Sequence, residues 1–182
     1  MKNKAMNDNL RALCEGAVMV ALAVVLNFFK IDIFPEGGSI NLLFIPLMVF
    51  ALRRGAKWGL AAGLVFGVLK GLIGGGTAYG WQSMLLDYIA AYTLVGLTGL
   101  APKKPVAATA LGAAGTLTSF VLAGALVWGE YMPEAFLGLR MVNIWVYSLL
   151  YNGIPTALNW LIAAVVIGLL AAKTKLLDRQ ES

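Results

Sequence analysis

Long apolar stretches alternate with short polar or glycine- and proline-rich segments along the whole chain. Apolar runs that approach about 20 residues are typical of helices that cross a membrane. Six runs are candidates: 13–29, 40–52, 58–73, 81–101, 106–128 and 142–172. The second is too short for a straight crossing, so it either borrows flanking residues or spans only partly. We therefore predict an all-α integral membrane protein, with six transmembrane helices in a single domain over 1–182.

Composition supports this class and excludes several others. The chain is 60% hydrophobic and 13% charged, with a mean hydropathy of +0.81, which excludes an ordinary soluble domain. Cys14 is its only cysteine and it has no histidine, so neither an internal disulfide, a cysteine metal cluster nor imidazole catalysis is available. We predict no catalytic residue, metal or cofactor. The first apolar run lacks a cleavage signature and is interpreted as a helix of the mature protein.

The distribution of lysine and arginine predicts the orientation. If both termini are cytoplasmic, eleven of the fourteen basic residues fall in cytoplasmic segments, leaving only Lys30, Lys70 and Arg140 elsewhere. The six-helix arrangement thus agrees with the rule that cytoplasmic loops are basic. We therefore interpret the net charge of +5 as orienting the chain in the lipid bilayer and attracting anionic lipid, and we predict no binding to nucleic acid.

Asp87 is the only acidic residue within the apolar run 81–101. A carboxylate inside hydrocarbon is costly and usually faces a pathway, a ligand or an internal partner. In the predicted topology it lies in the outer half of the fourth helix. Two interpretations stay open at this point: a ligand-binding carboxylate that faces an outward pocket, and a carboxylate paired within the protein for packing.

Other chemistry-bearing side chains converge on the same predicted depth. Four-residue spacing aligns two sets on helical faces: Phe120, Gly124 and Trp128 on the fifth run, and Ser148 with Asn152 on the sixth. Tyr147 and Tyr151 flank the second set. Together with Asp87 they suit a flat or cationic organic ligand. Interfacial aromatic residues and glycine-mediated helix packing explain the same pattern without a ligand, and that alternative stays open.

No nucleotide-binding motif accompanies these features. The glycine-rich segment GGGTAYG lacks the lysine and hydroxyl residue of a phosphate-binding loop. Concentrative transport would therefore draw its energy from a partner or from an ion gradient. On the first helix, Ala17 and Ala21 form a strip of small side chains that lets another helix approach, in this chain or in a partner. Two rivals stand beside a transport subunit: a self-contained secondary transporter or channel, and a structural membrane protein without a ligand.

Five sequence blocks, in order, resemble one known family. They are AVMVA in the first helix, GGSINLLFIPLMVFALRRG continuing into GLAAGLVFGVLKGLIGG, LLDY, AGALVWGEYMP and YSLLYNG. In order and spacing they resemble the thiamine-specific S-components (ThiT-like) of energy-coupling factor vitamin transporters. The resemblance covers nearly the whole chain. It implies a six-helix, multi-pass subunit of a prokaryotic cell membrane that captures a vitamin from outside, while a coupling membrane subunit and two ATPases drive release inward.

The resemblance also implies roles for individual residues. Asp87 stands where the family has a glutamate that binds the aminopyrimidine of thiamine, and Ala17 with Ala21 matches the strip that meets the coupling subunit. The remaining ligand positions implied are Tyr88, Gly124, Trp128, Tyr147 and Asn152.

Two departures from the family pattern concern specificity. The ligand-contacting histidine of the family falls at Phe120, and a basic residue one turn earlier falls at Thr116. Both changes affect specificity more readily than fold. The resemblance therefore implies a site for thiamine, for a related heterocycle, or for a different vitamin or precursor.

Overall fold

The structure, a computed structural model, describes residues 2–34 and 37–177. Most of this part of the chain is helical. Its helical segments are α1 (Lys2–Phe28), α2 (Phe44–Arg54), α3 (Ala56–Ile73), α4 (Trp81–Leu100), α5 (Pro105–Leu126) and α6 (Ile144–Lys173). Within the described residues, all but α2 are long and apolar enough to cross a membrane. A mostly helical membrane protein is thus confirmed, whereas six crossings and cytoplasmic termini stay predictions.

The short second helix lies at the centre of the hydrophobic core. Its sequence, FIPLMVFALRR, has no polar face before its last turn, which is typical of a helix buried on all sides. Phe44, Leu47 and Phe50 are each at most 5% exposed. The predicted start of this element at residue 40 was wrong. Ile40 belongs to a strand, and the helix begins at Phe44.

Two short antiparallel hairpins qualify the all-α prediction. Strands β1 (Lys30–Phe34) and β2 (Gly37–Asn41) pair between α1 and α2, and β3 (Ala135–Phe136) pairs with β4 (Leu139–Arg140) before α6. The hairpins meet, since the rings of Phe34 and Phe136 are 5.2 Å apart. We call the end of the bundle formed by these four strands the hairpin end.

The first hairpin is anchored deep in the bundle by one side chain of α6. Asn159 accepts a hydrogen bond from the backbone N–H of Asn41 at 2.8 Å and donates one to the carbonyl of Ser39 at 2.8 Å. Both Asn41 and Asn159 are buried. Away from water a strand needs such partners, because unpaired backbone groups in an apolar environment are costly. The asparagine amide supplies the donor and the acceptor together.

Helices α3 and α4 are in backbone contact. A Cβ atom added to Gly63 would lie 2.2 Å from the carbonyl oxygen of Tyr92, and one added to Gly96 would lie 2.2 Å from the backbone nitrogen of Leu60. Small residues permit such close approach. This contact fixes the position of α4, the helix that carries Asp87, against α3.

The opposite end of the bundle is held by an ionic cluster. The carboxylate of Glu15 on α1 accepts hydrogen bonds from Arg53 and, at 2.8 Å, from Nε of Arg54, both at the end of α2. Arg53 also donates to the backbone carbonyl of Leu176. We call this the basic end. The cluster was not predicted, because its members are distant in sequence.

Candidate functional site

Asp87 lies half-buried on α4 near the hairpin end. Its Oδ2 accepts hydrogen bonds from Oγ of Ser83 and from Nε1 of Trp128, each at 2.8 Å. Both donors are neutral, and among the described residues no cation forms an ion pair with Asp87. Both bonds use the same oxygen. The other oxygen, Oδ1, is therefore available to a ligand, and the charge is not compensated by a described cation.

The turn that carries Asp87 and Tyr88 is π-helical. Along α4, an α-helical turn at Trp81–Ser83 is followed by π-helix at Met84–Ala90, α-helix at Ala91–Leu94 and 3-10 helix at Val95–Leu100. π-Helical turns are uncommon and occur frequently at functional sites. Nothing in the sequence pattern indicated this change of helical type.

Hydroxyl groups of α5 bind the backbone of this region. Oγ of Ser119 donates to the carbonyl of Leu86 at 2.7 Å, and Oγ1 of Thr116 donates to the carbonyl of Ala91 at 3.0 Å. Both hydroxyl residues are buried. Ser119 was missed in the sequence. Thr116, where the resemblance implies a basic residue in the family, makes a backbone contact here.

Trp128 lies just beyond the end of α5 and not on its face. The helix ends at Leu126, and the backbone N–H of Trp128 donates to the carbonyl of Ala123 at 3.2 Å. The predicted alignment of Trp128 with Phe120 and Gly124 on one helical face was therefore wrong. Departure from the helix lets the indole N–H reach Asp87 on α4. Its ring meets the rings of Tyr79 at 5.5 Å and Tyr131 at 5.9 Å.

Tyr88 packs against the glycine-rich loop that precedes α4. A Cβ added to Gly76 would lie 2.6 Å from Cε2 of Tyr88, so only glycine leaves room for the ring there. The loop turns at Gly75, whose φ of +71° is accessible to glycine at little cost. Because Tyr88 directly follows Asp87, this packing links the π-helical turn that carries Asp87 to the glycine-rich loop.

Gly124 and Asn152 meet where α5 and α6 cross. A Cβ on Gly124 would lie 2.2 Å from Oγ of Ser148 and 3.1 Å from Nδ2 of Asn152. Nδ2 donates to the carbonyls of Ser148 at 3.1 Å and Phe120 at 3.3 Å. Within the described chain, every side-chain hydrogen bond of Asn152 is donated by Nδ2. Its Oδ1 is therefore available to accept from a ligand.

Tyr147 belongs to an aromatic cluster that joins α6 to both hairpins. Its ring lies 5.6 Å from that of Tyr151 and 5.4 Å from that of Phe136. Phe34 of β1 stacks on Tyr151 at 5.1 Å. The cluster covers the hairpin end of α6, one turn from Asn152.

Apart from Tyr147, which belongs to the aromatic cluster, the predicted ligand residues form two groups linked through α5. Asp87 and Trp128 make one, with Tyr88 beside them. Gly124 and Asn152 make the other, and Phe120 joins it through its carbonyl oxygen. The ring of Phe120 faces Tyr92 of α4 at 6.1 Å.

Comparison with known proteins bears on this arrangement. The family model described as "Thiamine transporter protein (Thia_YuaJ)" matches residues 13–178. The chain belongs to this thiamine transporter family. Proteins named thiamine transporter ThiT from Bacillus subtilis (strain 168) and Lacticaseibacillus paracasei (strain ATCC 334) are each 31% identical to it over 183 aligned residues. These alignments cover 90% of this chain, with 92% of the first relative and 88% of the second.

A solved structure agrees with the assignment. ThiT from Listeria monocytogenes superimposes with a TM-score of 0.80 at 27% identity, over 93% of this chain and 98% of the other. The thiamine transporter family is defined by transport, and the chain is accordingly not an enzyme. The recognition made from the sequence blocks is confirmed.

A groove lies between α1 and α3. Its volume is about 390 Å³, and its lining includes Gly16, Ala17, Ala21 and Ala62, with Phe50 of α2 and Trp58 of α3. Ala17 and Ala21 are exposed. The ring of Phe50 packs on Gly16, where a Cβ would lie 2.9 Å from Cζ. The small strip on α1 thus forms one wall of a depression open at the surface.

Proposed function

We propose that this protein is the substrate-binding S-component of an energy-coupling factor transporter that captures thiamine or a thiamine-like heterocycle. Membership of the thiamine transporter family supports the substrate class. The site at the hairpin end supports a ligand that combines hydrogen-bond donors, positive charge and flat rings. Thiamine has all three, because it joins an aminopyrimidine to a cationic thiazolium ring.

The uncompensated carboxylate of Asp87 carries this proposal. A structural carboxylate in an apolar environment is expected to meet a cation, yet Asp87 meets only the neutral donors Ser83 and Trp128. Both leave Oδ1 open. An aminopyrimidine N–H donor or a cationic ring supplies the missing partner, and the two existing bonds hold the carboxylate in place for it.

The other candidate residues complete the site in this proposal. Trp128 offers an aromatic face, Asn152 an acceptor oxygen, and Gly124 the close approach of α5 to α6. Tyr88 positions the glycine-rich loop beside the acidic turn. Tyr147 contributes to the aromatic wall shared with the hairpins. Phe120 replaces a polar contact with an apolar ring.

The test of this function is calorimetric binding to the purified protein, with thiamine, its phosphates, and its pyrimidine and thiazole halves as ligands. We expect thiamine or a related heterocycle to bind and to quench tryptophan fluorescence, because the ligand lies against Trp128. Trp128→Phe should remove most of the quenching. Trp160→Phe is the matched control, since Trp160 donates to Thr109 on α5 and lies outside the proposed site. Absence of binding across the whole panel would refute the vitamin assignment.

Phe120→His tests the specificity of the pocket. If Phe120 borders the ligand, a restored polar contact should change the preference among thiamine-like ligands about tenfold, since a buried hydrogen bond is worth about 1 to 3 kcal/mol. Ratios of dissociation constants across the panel measure the effect, and circular dichroism checks the fold. An unchanged ligand profile in a folded variant would exclude Phe120 from the site.

We also propose a cell-membrane location in a prokaryote, with six crossings, both termini cytoplasmic and the hairpin end facing outward. The charge distribution of the sequence supports this orientation. Arg53 and Arg54 lie at the basic end, as cytoplasmic residues would. The Asp87 site is then open to the outside, where a nutrient is captured.

Release into the cell requires energy that we assign to partners, namely a coupling membrane subunit and two ATPases. The chain has no nucleotide-binding motif. The groove walled by Ala17 and Ala21 is suited to a transmembrane helix of the coupling subunit, because small residues let two backbones approach in lipid. The competing function is secondary transport. Intramembrane charges at Asp87 and Lys70 are the observation that favours it.

A further inference from the structure

Lys70 points from α3 into the bundle. It continues the inward stripe of that helix at three- and four-residue spacing, after the buried residues Gly59, Gly63, Phe66 and Gly67. Asn27 occupies the equivalent position on α1, continuing a stripe of the buried residues Gly16, Val20 and Ala23. Both side chains therefore face the interior near the hairpin end. Neither was among the site residues predicted from the sequence.

The ammonium group of Lys70 has only neutral contacts. Nζ donates to Oδ1 of Asn27 at 2.8 Å and lies 4.9 Å from the centre of the Tyr92 ring. Among the described residues no carboxylate forms an ion pair with it. Lys70 thus has no counter-charge among the described residues, whereas Lys30 of β1 is paired with Asp32.

Asp87 and Lys70 are opposite charges that do not pair with each other. Each is held by neutral groups, although an isolated charge in an apolar interior is costly. The two regions are adjacent, because the residue after Lys70 packs on the residue after Asp87: a Cβ added to Gly71 would lie 3.3 Å from Cγ of Tyr88. The ring of Tyr92, which contacts Lys70, also faces Phe120 of α5. An interior that keeps a carboxylate and an ammonium group separately available suits a ligand that carries both signs of charge.

We propose that Lys70 and Asn27 form a subsite for an anionic substituent, phosphoryl or carboxylate, on the ligand that Asp87 binds. The inference rests on the proposed function and extends it. Lys70 supplies charge and its remaining N–H donors. Oδ1 of Asn27 accepts from Lys70, and the described contacts give its amide nitrogen no hydrogen-bond partner, so we assign that nitrogen to the subsite as a further donor. A cation with adjacent N–H donors is the usual environment of an oxyanion in proteins.

The experiment compares thiamine with thiamine monophosphate by calorimetry, in the native chain and in Lys70→Gln. We expect Lys70→Gln to weaken binding of the monophosphate about tenfold or more, since a charge-assisted contact is lost, and to change thiamine binding by less than about threefold. Lys70→Arg keeps the charge and should retain most of the preference. Lys30→Gln is the matched control, because Lys30 is half-exposed and already paired with Asp32 at 3.0 Å.

Several outcomes would overturn the subsite. An unchanged ratio of the two affinities in Lys70→Gln would do so, as would equal loss of both ligands with a lower melting temperature. The same loss in Lys30→Gln would show that the preference depends on general positive charge near the hairpin end and not on a contact with Lys70. Glu36 lies outside the described residues, so Glu36→Gln is added. If that variant instead strengthens binding of the monophosphate, Glu36 is the counter-charge of Lys70 in the native chain, and the subsite is overturned.

Inorganic phosphate separates a ligand-borne anion from a free one. We expect phosphate to compete weakly with thiamine monophosphate and not with thiamine. Phosphate that instead strengthens thiamine binding would identify a free-ion site and overturn the proposal. If the native chain binds neither thiamine nor its monophosphate, the proposed function itself fails, which is a different result from an unchanged ratio.

Discussion

Asp87→Asn is expected to lower affinity for thiamine about 10- to 100-fold and to leave the ligand-free protein folded. The side-chain oxygen of asparagine can still accept from Ser83 and Trp128, as Oδ2 of Asp87 does at 2.8 Å. The substitution therefore replaces only the free oxygen with an amide nitrogen and removes the charge. A hydrogen bond to a charged group contributes about 1.5 to 3 kcal/mol, which corresponds to this range. Calorimetry measures the affinity and a thermal melt in detergent measures the stability.

Ser83→Ala is the matched control for that experiment. It removes one neutral hydrogen bond from the carboxylate without changing the charge, so we expect a loss of only a few-fold in affinity. One result would contradict the binding role of Asp87: ligand-free Asp87→Asn melts at a much lower temperature, while the protein that stays folded binds thiamine with native affinity. Asp87 would then be a packing residue held by Trp128.

The double variant Ala17→Trp, Ala21→Trp should abolish ATP-driven uptake while leaving ligand binding intact. Two indole rings would fill much of the groove of about 390 Å³ between α1 and α3 and exclude a partner helix. The Asp87 site lies near the hairpin end on other helices, so its affinity should change by less than about twofold. The measurement pairs calorimetry in detergent with uptake by vesicles that contain the whole complex.

Ala114→Trp is the control for bulk in lipid. Ala114 is exposed on α5 and lines a different groove, between α5 and α6. The Ala114→Trp variant should leave uptake unchanged.

Cys14, the only cysteine, is exposed on α1 less than one turn before Ala17, so its maleimide labelling should slow when the coupling subunit docks. Concentrative uptake by the isolated chain in vesicles without ATPases would instead favour the secondary transporter.

Hydropathy alone predicted most ends of the long helices, because their apolar runs stop at polar or glycine-rich segments. The predicted start of the first helix at residue 13 was wrong, since α1 begins at Lys2 and its first turns are polar. Residues 58–73 and 142–172 differ from α3 and α6 by no more than two residues at each end. The second run failed at its start. Residues 40 and 41 are uncharged and compatible with a transmembrane helix, yet they belong to β2 and pair with β1. Strand pairing inside a bundle depends on partners that a local pattern does not contain.

The candidate site was predicted in composition more than in geometry. Asp87 and Trp128 are 41 residues apart, and their hydrogen bond requires α5 to end early and α4 to widen into a π-helix. Neither event has a signature in the local sequence. The pairing of Lys70 with Asn27, 43 residues apart, is equally non-local. Residue types could be selected from the sequence, whereas partners followed only from the packing of helices.

The anchoring of β2 by Asn159 has a consequence for biosynthesis. Asn159 follows Asn41 by 118 residues, so the first hairpin leaves the ribosome long before its anchor is made. Until α6 is inserted, the backbone groups of Ser39 and Asn41 have no amide to bind, and apolar surroundings would penalise them. We therefore expect the early hairpin to stay at the water interface until α6 is inserted. Strands β1 and β2, although translated early, would then be among the last parts of the chain to reach their native positions.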